Sequence, residues 1–256
     1  MRKPFVAGNW KMNGELASVQ ELVTGILQGL ATRPATDCEI CLFPAYVHLI
    51  PVVSMVGGRG IAIGAQDVDV RNNGPATGSV SAQMISDAGC TFFLCGHSER
   101  RKYFGETNQM IAEKFEVGLA AGLTPILCIG ESEVEREAGH TLAVLSSQVD
   151  AVINRVGVGG MRRGLVAYEP VWAIGSGNSA TATQAGEVHA ALRERFSEQS
   201  LELAESVRIL YGGSVSVENS TELFADENVD GFLLGGAALS SKSFLNICRV
   251  ADASLR

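Results

Sequence analysis

Short apolar runs punctuate the chain at residues 5–7, 39–43, 61–65, 91–95, 125–129, 165–168, 207–211 and 231–234. Most are rich in Ile, Val, Leu, Phe and Cys throughout rather than alternating with polar residues, which is how strands buried on both faces read. Between them lie helical patterns. Leu16, Val19, Leu22, Val23, Ile26, Leu27 and Leu30 form an apolar stripe at three- and four-residue spacing. Ile111, Phe115 and Leu119 form another, closed by the stop signal Gly122. Leu142, Leu145, Val149, Val152 and Ile153 give a third, and Val188, Ala191, Leu192 and Arg195 a weaker fourth. Strand alternating with helix means a parallel sheet. Eight such units without a linker, in 256 residues, predict an α/β protein: a closed (β/α)8 barrel of parallel strands with surrounding helices, a single domain over residues 1–256. The alternative is an open doubly wound sheet. Its support is the run from Gly175 to Ala180, formally G-x-G-x-x-A. That run follows the sixth strand and an intervening Glu-Pro-Val-Trp-Ala-Ile, rather than opening directly from the first strand as a dinucleotide site does.

Composition narrows the function classes. The chain is 46% apolar and 19% charged, enough for a sizeable core, and nothing in it signals disorder. The formal charge is −8 and no basic cluster exceeds Arg100-Arg101-Lys102, so nucleic acid is not an expected partner. An acidic protein that binds an anion must gather positive charge or backbone N–H groups locally. The six cysteines lack a disulfide-framework spacing. Cys38 and Cys41 form one C-x-x-C within an apolar run, where residues three apart face opposite sides of a strand. With no second such pair and no histidines at ligand spacing, no metal site is expected, and buried free thiols are the reading. No apolar stretch is long enough for a signal peptide or a membrane span, so the expected location is the cytoplasm and no membrane partner is expected.

In a barrel the chemistry gathers where strands end at their carboxyl side. The residues there are Asn9 and Lys11 after the first strand, Gln66 after the third, and His97, Ser98 and Glu99 after the fourth. Gly130-Glu131 follow the fifth, Glu169 the sixth, Gly212-Gly213-Ser214 the seventh and Gly235-Gly236 the eighth. Asn9, Lys11, His97 and Glu169 polarise, donate or accept protons; Gly175, Ser214, Gly235 and Gly236 offer unobstructed backbone N–H groups to a phosphate. Glu169 closes an apolar strand, Pro170 stops it, and Val171-Trp172-Ala173-Ile174-Gly175 is an apolar, glycine-bearing loop. That combination suggests a general base beneath a flap that excludes water. Each feature alone has a bland reading: a paired strand-end carboxylate, a solvated lysine, ordinary glycine turns. His48, His140 and His189 lie in or beside amphipathic segments and read as surface or packing residues.

Gly8-Asn9-Trp10-Lys11-Met12-Asn13, Gly96-His97-Ser98-Glu99-Arg100-Arg101, the segment from Ala167 to Gly175, Tyr211-Gly212-Gly213-Ser214-Val215 and Gly235-Gly236-Ala237 are together highly specific. With them the chain closely resembles the triosephosphate isomerase family along its whole length. The resemblance implies a TIM barrel that interconverts dihydroxyacetone phosphate and glyceraldehyde 3-phosphate without metal or cofactor. It implies Glu169 as base, a neutral His97 with its pKa lowered by the helix starting near Ser98, Lys11 as electrostatic stabiliser and Asn9 as orienting group. Glu99 would handle protons or support these groups. Burial under Ile174 and Leu234 would raise the Glu169 pKa. Gly175, Ser214, Gly235 and Gly236 would hold the phosphate, and residues 170–180 would be the closing lid. The family dimerises through the loop matching 67–81, so a homodimer is expected, the loop bracing the partner's Asn9 and Lys11. This chain has Ala76 and Ser79 where the family carries an aromatic residue and a glutamate, and Ser176-Gly177-Asn178 where Thr-Gly-Lys is common. Competing readings are another phosphate-binding barrel enzyme, such as an epimerase or Schiff-base aldolase, and a non-catalytic phospho-sugar-binding protein. The epimerase lacks its metal ligands here, the aldolase its central strand-end lysine, and the binding protein would have lost Glu169 or His97.

Overall fold

The computed structural model describes residues 2–35, 37–174 and 180–253. Its strands are β1 (Phe5–Asn9), β2 (Glu39–Phe43), β3 (Ile61–Ala65), β4 (Phe92–Cys95), β5 (Thr124–Ile129), β6 (Leu165–Tyr168), β7 (Ile209–Tyr211) and β8 (Gly231–Leu234). Each pairs in parallel with the next, and β1 pairs with β8, so the described strands close into a barrel in chain order. The open-sheet alternative is thereby overturned: β8 has no free edge, because Phe5 to Gly8 register against Gly231 to Leu234.

The helices are α1 (Leu16–Thr32), α2 (Leu49–Val56), α3 (Ala82–Asp87), α4 (Ser98–Phe104), α5 (Asn108–Ala120), α6 (Glu133–Glu137), α7 (Thr141–Met161), α8 (Ala182–Gln199), α9 (Leu201–Ser206), α10 (Ser220–Phe224) and α11 (Ser241–Ala253). Short 3-10 turns occupy Tyr46–His48, Val171–Ala173 and Gly236–Leu239. None of the described helices is long and apolar enough to cross a membrane.

The continuous apolar runs have a simple cause. Alternate residues of each strand point inward, where Phe5, Ala7, Cys41, Phe43, Phe92, Leu94, Ile126, Cys128, Leu165, Ala167, Leu210 and Leu233 fill the barrel. Their neighbours Val6, Ile40, Leu42, Phe93, Leu127, Val166, Ile209 and Phe232 face the helices in a larger cluster. Cys38 and Cys41 fall in different clusters, as the strand period requires. All six cysteines are buried and unbridged, and burial holds their thiols above the usual range. The α1 stripe docks through Val19, Val23 and Ile26, whereas Leu16 at its first turn is half exposed. The α7 stripe is likewise buried from Leu145 onward and leaves Leu142 outside. Both exceptions sit at helix starts, before the axis has come down onto the strands.

His140 is exposed at the start of α7, while His48 and His189 are packing residues. His189 lies edge-on to Tyr168 with ring centroids 5.9 Å apart, and its Nδ1–H donates to the Asn228 carbonyl at 3.2 Å. Burial depresses its pKa from 6.5 to about 4. The unfolded chain therefore takes up a proton below pH 6.5 that the folded protein refuses until about pH 4, so this residue's contribution to stability is complete above 6.5 and is lost as pH falls to 4. Denaturant titrations at pH 7 and pH 4 should show the wild type losing about 3 kcal/mol more than a His189→Gln variant. Equal losses would show that His189 is not held neutral.

Candidate active site

The parity that fills the barrel also selects what stands at its open end. Ala7 faces inward, so Asn9, two residues on, does too; Ala167 faces inward, so Glu169 follows it. Asn9 is buried at the end of β1, and its Oδ1 accepts the Lys11 N–H at 3.0 Å. Lys11 has φ of 53°, a left-handed conformation no other described non-glycine residue adopts. Such a conformation costs a β-carbon-bearing residue on the order of 1 kcal/mol. The Asn9 side chain holds it from one side. Gln66 Nε2 holds it from the other, donating to the Lys11 carbonyl at 2.8 Å and to the Phe43 carbonyl at 2.9 Å. The Lys11 ammonium is thereby aimed over Gly235, where a Cβ would lie 3.4 Å from its Cε, and it pairs with Glu99 Oε1 at 2.8 Å.

Glu169 is 2% exposed. Its Oε2 accepts the Ser98 N–H at 2.9 Å, and its Oε1 lies 2.9 Å from His97 Nε2. Two glycines make room for it. A Cβ on Gly212 would sit 2.9 Å from the Glu169 Cγ, and one on Gly130 would sit 1.9 Å from the Glu169 carbonyl oxygen. His97 caps α4, its Nδ1 accepting the Glu99 N–H at 3.2 Å. Since Nδ1 accepts, the ring proton sits on Nε2 and points at the carboxylate, which is the neutral tautomer.

The electrostatics run opposite to what the resemblance implied. Burial pulls the His97 imidazole down, but the Glu169 carboxylate, helped by Glu99, more than offsets it and leaves the imidazole above its ordinary value. Burial pushes Glu169 up, but His97, the Ser98 N–H and Lys11 win, and the carboxylate is held below its ordinary range. The resemblance implied a lowered imidazole and a raised carboxylate; with the two groups in contact both directions are the opposite.

These groups share one cleft of about 570 Å³. Asn9, Lys11, His97, Glu169, Ser214, Gly235 and Gly236 all line it, with Ile174 and Leu234 among its apolar residues. Gly236 is open: a Cβ there would meet nothing within 4 Å. Ser214 donates its hydroxyl to the Ala173 carbonyl at 3.0 Å, tying the rim of β7 to the flap. Of the expected lid, residues 170–174 and Ala180 are described; Gly175 and residues 176–179 lie outside the described residues.

Two residues that received no role from sequence matter here. Gln66 supports Lys11, as above. Glu131, fully buried, accepts from the Tyr168 hydroxyl at 3.1 Å and from Trp172 Nε1 at 2.8 Å, and Arg136 stacks over the Trp172 ring at 4.3 Å. Glu131 therefore anchors the first turn of the flap to the strand that carries Glu169. Both residues were visible at strand ends, but neither the side on which they lie nor their partners can be read from a single chain position.

The family model for triosephosphate isomerase matches residues 4–251. Relatives of that name include the protein of Dechloromonas aromatica, 48% identical over 98% of this chain and 100% of its own length. Those of Photorhabdus laumondii and Nitrosomonas eutropha are 44% and 45% identical, over 98% or more of this chain and 99% of theirs. A barrel whose strand ends bring a buried glutamate, a helix-capping histidine and a lysine to one glycine-walled cleft, matched along nearly its full length, belongs to the triosephosphate isomerase family.

Proposed function

We propose that this cleft interconverts dihydroxyacetone phosphate and D-glyceraldehyde 3-phosphate by proton transfer through an enediolate, as befits a glycolytic and gluconeogenic isomerase. The observation that carries the reading is the buried Glu169 carboxylate, 2.9 Å from an imidazole that presents an N–H. Glu169 acts as general base, taking a proton from the carbon beside the carbonyl and returning it to the neighbouring carbon. His97, neutral, donates from Nε2 to the substrate oxygens; a glutamate base with a neutral histidine is the pattern known for this family. Carbonyl-adjacent protons are weakly acidic, so charge must be balanced as it develops. Lys11 does this once an anionic substrate draws it from Glu99, and Asn9 keeps Lys11 in register. Ser214, Gly235, Gly236 and Gly175 receive the phosphate, and residues 170–180 close over it, excluding water from the reactive enediolate. No metal or cofactor is needed, because these side chains supply both the base and the electrophile.

We further infer a homodimer, through loop 67–81. The loop is pinned from beneath: buried Lys114 pairs with Asp67 at 2.6 Å and with Glu106 at 2.5 Å, and the Tyr46 hydroxyl donates to the Asp67 carbonyl at 2.6 Å. Exposed apolar residues lie near it: Phe104 and Met110 share a second cleft with the loop, and Met84 shares a third. Met12, beside Lys11, is 95% exposed. Such clustering favours a covering partner. A cytoplasmic location and a single domain over residues 1–256 complete this reading.

The activity test is isomerisation of glyceraldehyde 3-phosphate by chelator-treated protein. Glu169→Gln should lower kcat by roughly 10²–10⁴-fold while chelation changes nothing; a fully active Glu169→Gln protein would remove Glu169 as base. In the same variant, nitrogen NMR should show His97 titrating at lower pH than in the wild type, because burial then acts without the carboxylate. An unmoved titration would refute the pairing. Sedimentation at micromolar concentration should give twice the chain mass, and Met12→Arg should give single chains with reduced turnover. A wild-type protein that sediments as single chains would overturn the dimer.

A further inference from the structure

We propose that Arg101 is a positioning residue for the reaction: its guanidinium clamps the ends of β4 and β5 beneath the site, fixing His97 and setting a positive charge without an ion-pair partner against the strand that adjoins the one leading to Glu169. This rests on the reading of Glu169 and His97 as the reacting pair.

Arg101 lies on α4, the helix His97 caps, yet its side chain turns back under the strand that precedes it. Nε donates to the Gly96 carbonyl at 2.8 Å, Nη2 to the Cys128 carbonyl at 3.2 Å, and Nη1 to Asn108 Oδ1 at 2.7 Å. Gly96 is the residue before His97 and makes the turn from β4 into α4 at φ of 74°. A Cβ there would come within 3.1 Å of Arg101 Nη2, so the glycine serves both the turn and the approach of the guanidinium. Cys128 lies two residues before Gly130, which packs against the Glu169 carbonyl. One planar fork thus joins the strand end that aims the imidazole to the strand beside the base.

Its charge is the unusual part. Among the described residues no carboxylate lies within ion-pair distance of Arg101, although Arg100, its neighbour, pairs with both Asp67 and Glu106. Arg101 is half-buried, and its charge is met by carbonyl and amide oxygens rather than by a carboxylate. Burial holds the Arg101 pKa below the usual guanidinium value; the groups acting the other way are Cys128, Cys95, Glu169 and Glu106. The thiols are kept protonated by burial, and Glu106 is engaged by Lys114 and Arg100. That leaves Glu169 as the remaining carboxylate whose charge bears on the guanidinium. Glu169 itself is faced by His97, the Ser98 N–H and Lys11, and His97 by Glu169, Glu99 and Lys11.

Clamp and charge separate by substitution. Arg101→Lys keeps the charge and loses the planar fork; Arg101→Met keeps the length and loses both. Purified variants are compared for kcat, KM and the pH profile of kcat/KM, with folding checked by circular dichroism and Glu169→Gln run alongside. Both variants should lose ~10- to 100-fold in kcat with KM within about twofold, since displacement of a catalytic group costs rate more than binding. The acid limb of kcat/KM should move to higher pH in Arg101→Met, by on the order of half a unit to one unit, and stay in place in Arg101→Lys. Unchanged kcat in a folded Arg101→Lys, or an acid limb that Arg101→Met leaves unmoved, would overturn the proposal and leave Arg101 a packing residue. Where Arg101→Met does not fold, Arg101→Lys decides: reduced kcat with an unmoved limb supports the clamp, and wild-type kcat overturns it. Full activity in Glu169→Gln is a separate failure, of the base assignment and not of Arg101.

Discussion

A carboxylate buried at the end of a barrel strand is the constraint around which the open face of this protein is built. Glu169 is 2% exposed, and an ionised carboxylate so placed is costly by several kcal/mol unless it is paired and hydrogen-bonded. The groups that satisfy it come from different strand ends. Ser98 and His97 follow β4 and Lys11 follows β1, while Gly130, which admits its carbonyl, follows β5 and Gly212, which admits its side chain, follows β7. No local segment could supply this set. Closure of the barrel brings those ends together, so the energetics of one charge depend on the completed fold.

The same logic governs the groups around it. Lys11 reaches the cleft through a left-handed backbone that would be unfavourable without Asn9 and Gln66, and its ammonium pairs with Glu99. The cleft thus carries its own counterion for Lys11. Below the 67–81 loop, Asp67, Glu106, Lys114 and Arg100 form a buried network of alternating sign that ties the loop's start to α5. Each such group is tolerable because its neighbour compensates it; removing one partner leaves another charge stranded.

Much of this was legible in the chain. The strands read clearly because both faces are buried, so the runs at residues 39–43, 61–65, 165–168 and 231–234 coincide with β2, β3, β6 and β8. Helix starts were less legible: Leu16 and Leu142 continue their apolar stripes in sequence but stand outside the packing. Glu169 and His97 were conspicuous from their places at strand ends, before Pro170 and Ser98. Gln66 and Glu131 stood at such ends too, but their roles consist of hydrogen bonds to Lys11, Phe43, Tyr168 and Trp172, distant in sequence.

The sequence by itself determined the alternation of strand and helix, the parity that turns Asn9 and Glu169 into the barrel mouth, and the residue types that gather there, since these follow from periodicity and local backbone chemistry. Only the tertiary structure decided the direction of the two pKa shifts at the site. Taken singly, His97 at a helix start and Glu169 under an apolar roof argue for a depressed imidazole and an elevated carboxylate. At 2.9 Å apart, each favours the other's charged form, and both shifts reverse. A pKa is set by distances between groups that lie far apart in the chain, and those distances exist only once the barrel has closed.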